Sequence, residues 1–367
     1  MLSQVQQAVA LGRAHGLHNW YYGEPEPEPV PESEPAAAES SPHRKPPPPV
    51  VVLPPPPQSD IEAYLSIFSP SNTPSTALRN LSSNAKKGSL RFEIGTYLSS
   101  KRYIHPSLPP SLAKLPRVKK PNTKTLLPAN PYLTFLSWAI LNLEWAGPSP
   151  SSARGPHSSH HILPILMHHF GCACPSHESL EILRVLSAGR EIIDVGSGNG
   201  YWTRMLRDYH PQITTTTATA VDSAQSSWRV TWVPDTVIAD GATYLRKTRA
   251  GARDAVLLLV YPIVGGGIAG GSEGGFTRSM LAAYDGDTLA VVGTQNHNGY
   301  TGFRDMTMDE FMAREHGEEW IKVVQVPLPS FPGKDEALYV YQRGPRAPRR
   351  VDGDGDTIQS EQRKEIK

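Results

Sequence analysis

From Glu191 to Arg343 the chain alternates apolar runs of strand length with amphipathic runs of helix length. EIIDV (191–195), TTTTATAVD (214–222), WVPDTVIADG (232–241), DAVLLLVYP (254–262) and DTLAVVGTQ (287–295) read as strands. NGYWTRMLRDYH (199–210), ATYLRKTRAG (242–251), FTRSMLAAYDG (276–286) and MTMDEFMAREHG (306–317) read as helices, the last capped by Thr307, with SAQSSW (223–228) a short one. WIKVVQVPLPSFPGKDEALYVYQR (320–343) then gives two strands joined by a proline-rich turn with no helix between them. Parallel strands need a crossover, usually helical, whereas a direct return makes an antiparallel pair. The expected fold is an open α/β sheet, largely parallel, with one antiparallel strand.

The segments in front are built differently. GEPEPEPVPESEPAAAESSPHRKPPPPVVVLPPPPQ (23–58) holds much of the chain's complement of 36 prolines. Proline removes backbone donors and the glutamates repel one another, so residues 1–58 read as a disordered arm: a spacer, or a ligand for a proline-binding module. Residues 59–125 read as a weakly ordered basic linker holding a short helix, IEAYLSIF (61–68), capped by Asp60, and a second apolar patch, SLRFEIGTYL (89–98). Lys86, Lys87, Arg91, Lys101 and Arg102 are among its cations, and such a run is a solvated surface or a patch for nuclear import or RNA. Residues 126–190 read as a helical cap. Asn130 and Pro131 open one helix of it, and Ser176 opens another that stops at Gly189. Residues 344–367 read as a disordered tail.

The totals exclude several classes. A net charge of +1 in 367 residues provides no field to gather nucleic acid, and no apolar run is long enough to cross a membrane. The two cysteines, Cys172 and Cys174, are too few for a disulfide scaffold, which points to a reducing intracellular compartment, cytoplasmic or nuclear. His168, His169, Cys172, Cys174 and His177 cluster in sequence, but C-x-C with adjacent histidines lacks the ligand spacing of a zinc site, so no metal is expected.

The functional signal lies where the first strand meets its helix. IDVGSGNG places Gly196, Gly198 and Gly200 at alternate positions at a strand's carboxyl end, where open α/β sheets bind ligands. Glycine lets a ligand touch backbone there. A nucleotide P-loop needs Lys-Ser/Thr after its last glycine, and Tyr201-Trp202 stands there instead. A dinucleotide turn needs a third glycine where Tyr201 stands.

IDVGSGNG resembles the first motif of the class I S-adenosylmethionine-dependent methyltransferases. The resemblance runs from about Ser176 to Arg343 and includes the order of elements. Pro175-x-x-Glu178-x-Leu180 and Gly198-x-Gly200-Tyr201-Trp202 further resemble a group of fungal and bacterial methyltransferase-like proteins. It implies a Rossmann-like, seven-stranded sheet and S-adenosyl-L-methionine as cofactor. By the same resemblance Asp222 would take the ribose hydroxyls and Asp240 the adenine amino group. Gly196, Gly198 and Gly200 would approach the methionine part, with Asp194 organising the turn from below. Read without the resemblance, Asp222 and Asp240 are carboxylates at strand-to-helix junctions, where they also serve as helix caps.

For chemistry two residues stand out. Tyr261, after the fourth strand, falls in the slot of the [DNS]-P-P-[YFW] motif, where it is a wall for substrate or cofactor, or plain packing. His297, in GTQNHNGYTGF after the fifth strand, is a general-base candidate or part of an ordinary surface turn. The expected activity is methyl transfer to a small-molecule or protein acceptor. The alternative is a degenerate methyltransferase-like module that binds partners through its proline-rich arm.

Overall fold

The computed structural model describes residues 56–115, 129–142, 145, 147–148, 163–209, 217–224, 229–262, 274–297, 303, 306–331 and 335–349. Expectations for most of the arm and tail, for residues 225–228, 265–273 and 298–302 lie outside these. Eight strands form one sheet in the order β1-β7-β8-β6-β5-β2-β3-β4. They are β1 (Tyr103–Ile104), β2 (Ile192–Val195), β3 (Ala218–Asp222), β4 (Val237–Ile238), β5 (Val256–Val260), β6 (Thr288–Thr294), β7 (Ile321–Pro327) and β8 (Glu336–Gln342). Strands β2 to β6 pair in parallel, and β8 runs antiparallel between β6 and β7. Counted from β2, the order is that of the Rossmann-like seven-stranded sheet, with β2 at the switch point between β3 and β5.

Alternating side chains divide the core between the two faces. Ile193, Val195, Leu257, Leu259 and Val291 meet Leu245, Met280 and Phe311, from the helical stretch that starts at Gly241 and from helices Gly275–Ala283 and Met308–His316. Ile192, Val256, Leu258, Ala290 and Val292 join the larger core on the opposite face. There they meet helices α5 (Pro131–Asn142), α6 (Leu163–Phe170), α7 (His177–Ser187) and α8 (Tyr201–Asp208). The cap signals act as expected. Asn130 Oδ1 accepts from Tyr132 N at 3.2 Å, Ser176 and Ser179 form a capping box, and Thr307 forms another with Glu310.

The front of the fold departs from the sequence reading in two ways. The expected linker, 59–125, contains α1 (Gln58–Leu65), α2 (Pro74–Ser83), α3 (Leu90–Lys101) and α4 (Pro110–Ala113). Their Ile61, Tyr64, Leu78, Leu81, Ile94 and Leu98 are buried in the larger core. The basic residues hide this face because they project from helices whose apolar positions are sparse and separated by proline, serine and asparagine. The sheet also gains β1, an eighth strand antiparallel to β7, with Tyr103 opposite Gln325. Two residues are too short for any periodicity to announce. Arg102, just before β1, donates to Glu178 Oε1 at 2.5 Å, and Tyr97 in α3 donates to Asp335 Oδ2 at 2.5 Å, so the front helices are fastened to both α7 and the sheet edge. Among the described residues no helix is long and apolar enough to cross a membrane.

Candidate functional site

The glycine turn emerges from β2 at the carboxyl edge of the sheet. Val195 pairs with Val221, so Gly196 arrives level with Asp222 on β3. Gly196 N and Ser197 N both donate to Val221 O, at 2.8 and 3.1 Å, which folds the chain sharply over that strand end. Gly196, Gly198 and Gly200 all have positive φ, of 74°, 57° and 77°. Side chains other than glycine's rarely accept that region.

Asp194, fully buried, accepts from the Thr203 hydroxyl of α8 at 2.8 Å. Its other oxygen, Oδ1, and the Ser197 hydroxyl are buried and have no hydrogen-bond partner among the described residues. Buried polar atoms in native proteins seldom stay in that state. Burial raises the Asp194 carboxyl from 3.8 to about 7, opposed by the Thr203 bond and reinforced by Asp222.

Asp222 turns its carboxylate back into the turn. Its Oδ2 accepts from Gly198 N at 2.8 Å and its Oδ1 from Ala224 N at 3.0 Å. A carboxylate offers about four lone-pair positions, so roughly two stay open to further donors. Asp240 lies two residues beyond Ile238, which pairs with Asp222. It caps the helix that starts at Gly241, its Oδ1 accepting from Thr243 N at 2.8 Å, and that bond holds its carboxyl below the usual value. It is exposed. The capping role foreseen for such residues is therefore real for Asp240, while Asp222 binds the glycine turn itself.

The three glycines differ in what covers them. A β-carbon on Gly200 would lie 2.3 Å from Val233 Cγ2, a side chain only 2% exposed, so this glycine is needed for packing. On Gly196 it would lie 3.2 Å from Phe276 Cζ, and on Gly198 3.3 Å from Arg229 Nη1, in both cases the far end of a flexible side chain.

Tyr201 and Trp202 are fastenings that sequence reasoning did not identify. Tyr201 Oη donates to Asn130 Oδ1 at 2.8 Å, and Tyr132 N approaches the same hydroxyl at 3.3 Å. Trp202 Nε1 donates to Ala173 O at 2.8 Å. Asn199 Nδ2 donates to His169 O at 3.0 Å, and Trp232 N donates to Asn199 O at 2.9 Å. The rings of Phe331, Tyr132, Phe170, Tyr201 and Trp232 follow one another with centroids about 5 Å apart, from 4.9 to 5.3 Å. The signal available in sequence was the aromatic pair directly after the turn, at the start of a helix with one buried face.

Tyr261 ends β5, is 6% exposed, and has φ 54°, which for a bulky residue is strained. Extending the pairing of Asp194 with Leu258 puts Val260 level with Gly196, so Tyr261 stands one residue beyond the turn on the adjacent strand. His297 is held elsewhere: its Nε2 is 2.8 Å from Glu310 Oε2 at the start of helix 308–316, and its side chain is 56% exposed. The structure therefore brings Asp194, Gly196, Gly198 and Asp222 together at one bend, with Tyr261 just past the end of the neighbouring strand β5, Asp240 just past the end of β4 and His297 after β6. Of the cysteine–histidine cluster, Cys174 is buried and His177 Nδ1 lies 2.9 Å from the Tyr209 hydroxyl; among the described residues no group of three metal-ligating side chains is assembled.

No family model matches the chain, and no curated protein matches it. Among solved structures it is similar to an rRNA methylase from Streptococcus thermophilus, at 14% identity over 46% of this chain and 95% of that one, with a TM-score of 0.32. It is also similar to the magnesium protoporphyrin IX methyltransferase from Synechocystis with bound SAM, at 9% identity over 46% of this chain and 79% of that one, TM-score 0.30. A fibrillarin/Nop5p complex shows 8% identity over 42% and 73%, TM-score 0.29. Likeness at this level does not assign an activity.

Proposed function

We propose that this protein binds S-adenosylmethionine and transfers its methyl group to a small molecule or a protein side chain. The observation that carries this reading is the Asp222 carboxylate, hydrogen-bonded to Gly198 N in the turn and still holding open lone pairs at the switch point of the sheet. The ribose diol would use those lone pairs. The Asp194 oxygen that has no partner among the described residues would be an acceptor for the methionine amino group, and the Ser197 hydroxyl, likewise without a partner among them, would be a further group for the amino-acid tail. Asp240, exposed at the next strand end, would receive the adenine amino group while keeping its helix cap. The bare backbone of Gly196 and Gly198 would meet the amino-acid tail.

When bound, the cofactor supplies an electrophilic methyl group for in-line attack by an acceptor. Alignment and exclusion of water are the protein's main contributions to such a reaction. Tyr261, strained and adjacent to the turn, is the wall that would orient the reacting pair. His297 would act as a base only toward an acceptor that reaches past β6, and its bond to Glu310 fixes one ring nitrogen. The net charge of +1 supports an acceptor other than bulk nucleic acid.

The test is calorimetric titration with S-adenosylmethionine and S-adenosylhomocysteine. Both are expected to bind, and Asp222→Ala is expected to weaken binding about 10–100-fold, the loss of one or two charge-assisted hydrogen bonds. Unchanged affinity in that variant would exclude the proposed ribose contact. Labelled cofactor incubated with separated small-molecule, protein and RNA fractions identifies the acceptor class, and transfer to none of them would favour a binding module.

A further inference from the structure

The bare face of Gly196 is already covered by this chain. Phe276, the second residue of helix Gly275–Ala283, places its ring tip 3.2 Å from where a β-carbon on Gly196 would sit. That contact is tighter than ordinary van der Waals approach, so the ring takes up the space next to the backbone that the absence of a side chain opens. The covering differs in kind from that of Gly200, which is filled by Val233, a short, branched and buried side chain. Phe276 is only partly buried and packs against the core that includes Val195 and Met280. Its ring reaches the turn from the end of a flexible side chain, and a change of rotamer removes it without moving the helix. The next residue, Thr277, buries a hydroxyl that has no hydrogen-bond partner among the described residues.

We propose that Phe276 is a displaceable plug of the glycine turn: its ring lies on Gly196 and must swing away before an amino-acid tail can reach the backbone there. The inference rests on the cofactor reading above. A plug of this kind lowers apparent affinity by the fraction of molecules that stand open, and its removal returns that factor. It therefore predicts the opposite sign from a ring that helps to hold the ligand.

Calorimetric titration of S-adenosylhomocysteine into the full chain decides between them. Phe276→Ala is expected to bind at least about threefold more tightly than the parent protein. Phe276→Leu, which keeps apolar bulk but ends short of Gly196, is expected to fall between the two, and it carries the test if the alanine variant does not fold, as judged by thermal unfolding. If the parent binds and both variants bind equally or more weakly, the plug is overturned while the cofactor reading stands. If neither the parent nor a folded variant binds, both fall. Binding by the variants alone would support the plug most directly.

Discussion

Asp194 is a carboxyl group enclosed on a central strand, and its environment determines when it carries charge. Burial lifts it from 3.8 to about 7, against the pull of the Thr203 hydroxyl and with the help of Asp222. A carboxyl whose native value is raised binds its proton more readily folded than unfolded. Its contribution to stability therefore grows as pH falls from about 7 to about 4 and is constant below that, where both states are protonated. Asp194→Asn, neutral at every pH, is expected to flatten this part of the profile and to be more stable than the parent at alkaline pH by roughly 1–3 kcal/mol. Denaturant unfolding across the pH range measures it, and parallel curves for the two proteins would contradict the assignment. At the same scale the sequence announced the turn, because glycines at alternate positions accept without strain the positive φ found at each of them. It did not announce Phe276, Arg229 or Val233. What covers a glycine comes from distant segments, and no local pattern specifies the partner.

At the scale of elements, the alternation of strands and helices was legible because the central strands β2, β5, β6 and β8 are buried on both faces and the amphipathic helices on one. Capping residues fixed several boundaries: Asn130, Ser176 and Thr307 each bond the backbone of the helix they precede. Of the helices of residues 58–113, the apolar runs at 61–68 and 89–98 were legible and fall in α1 and α3. The helices Pro74–Ser83 and Pro110–Ala113 and the packing of all four were not, since that packing depends on the sheet they meet more than on their own pattern. The same holds for Tyr201, whose size was evidence against a dinucleotide turn but whose hydroxyl turned out to be a joint between α5 and α8. Tyr201→Phe removes that hydroxyl and leaves Asn130 Oδ1 without one of its donors, and it is expected to cost about 1–2 kcal/mol. Thermal unfolding would show the loss. A variant as stable as the parent would mean that water replaces the bond.

At the scale of the whole molecule, the sheet and the front helices form a single cored body. The larger core is one cluster that includes Ile61 of α1 and Val340 of β8, and the Arg102–Glu178 pair links the front segment to α7. Described helices on both sides of the expected boundary at residue 126 therefore share one core. This has a consequence for β1. That short strand occupies the outer flank of β7, a strand of seven residues whose peptide groups would otherwise face solvent in a row. Exposed rows of this kind recruit extended segments of other molecules. A fragment starting at residue 126 would carry every residue of the glycine turn and yet is expected to self-associate in light scattering, whereas one starting at residue 56 stays monodisperse. Two residues from a segment read as a weakly ordered linker would thus keep the chain from stacking edge to edge with copies of itself.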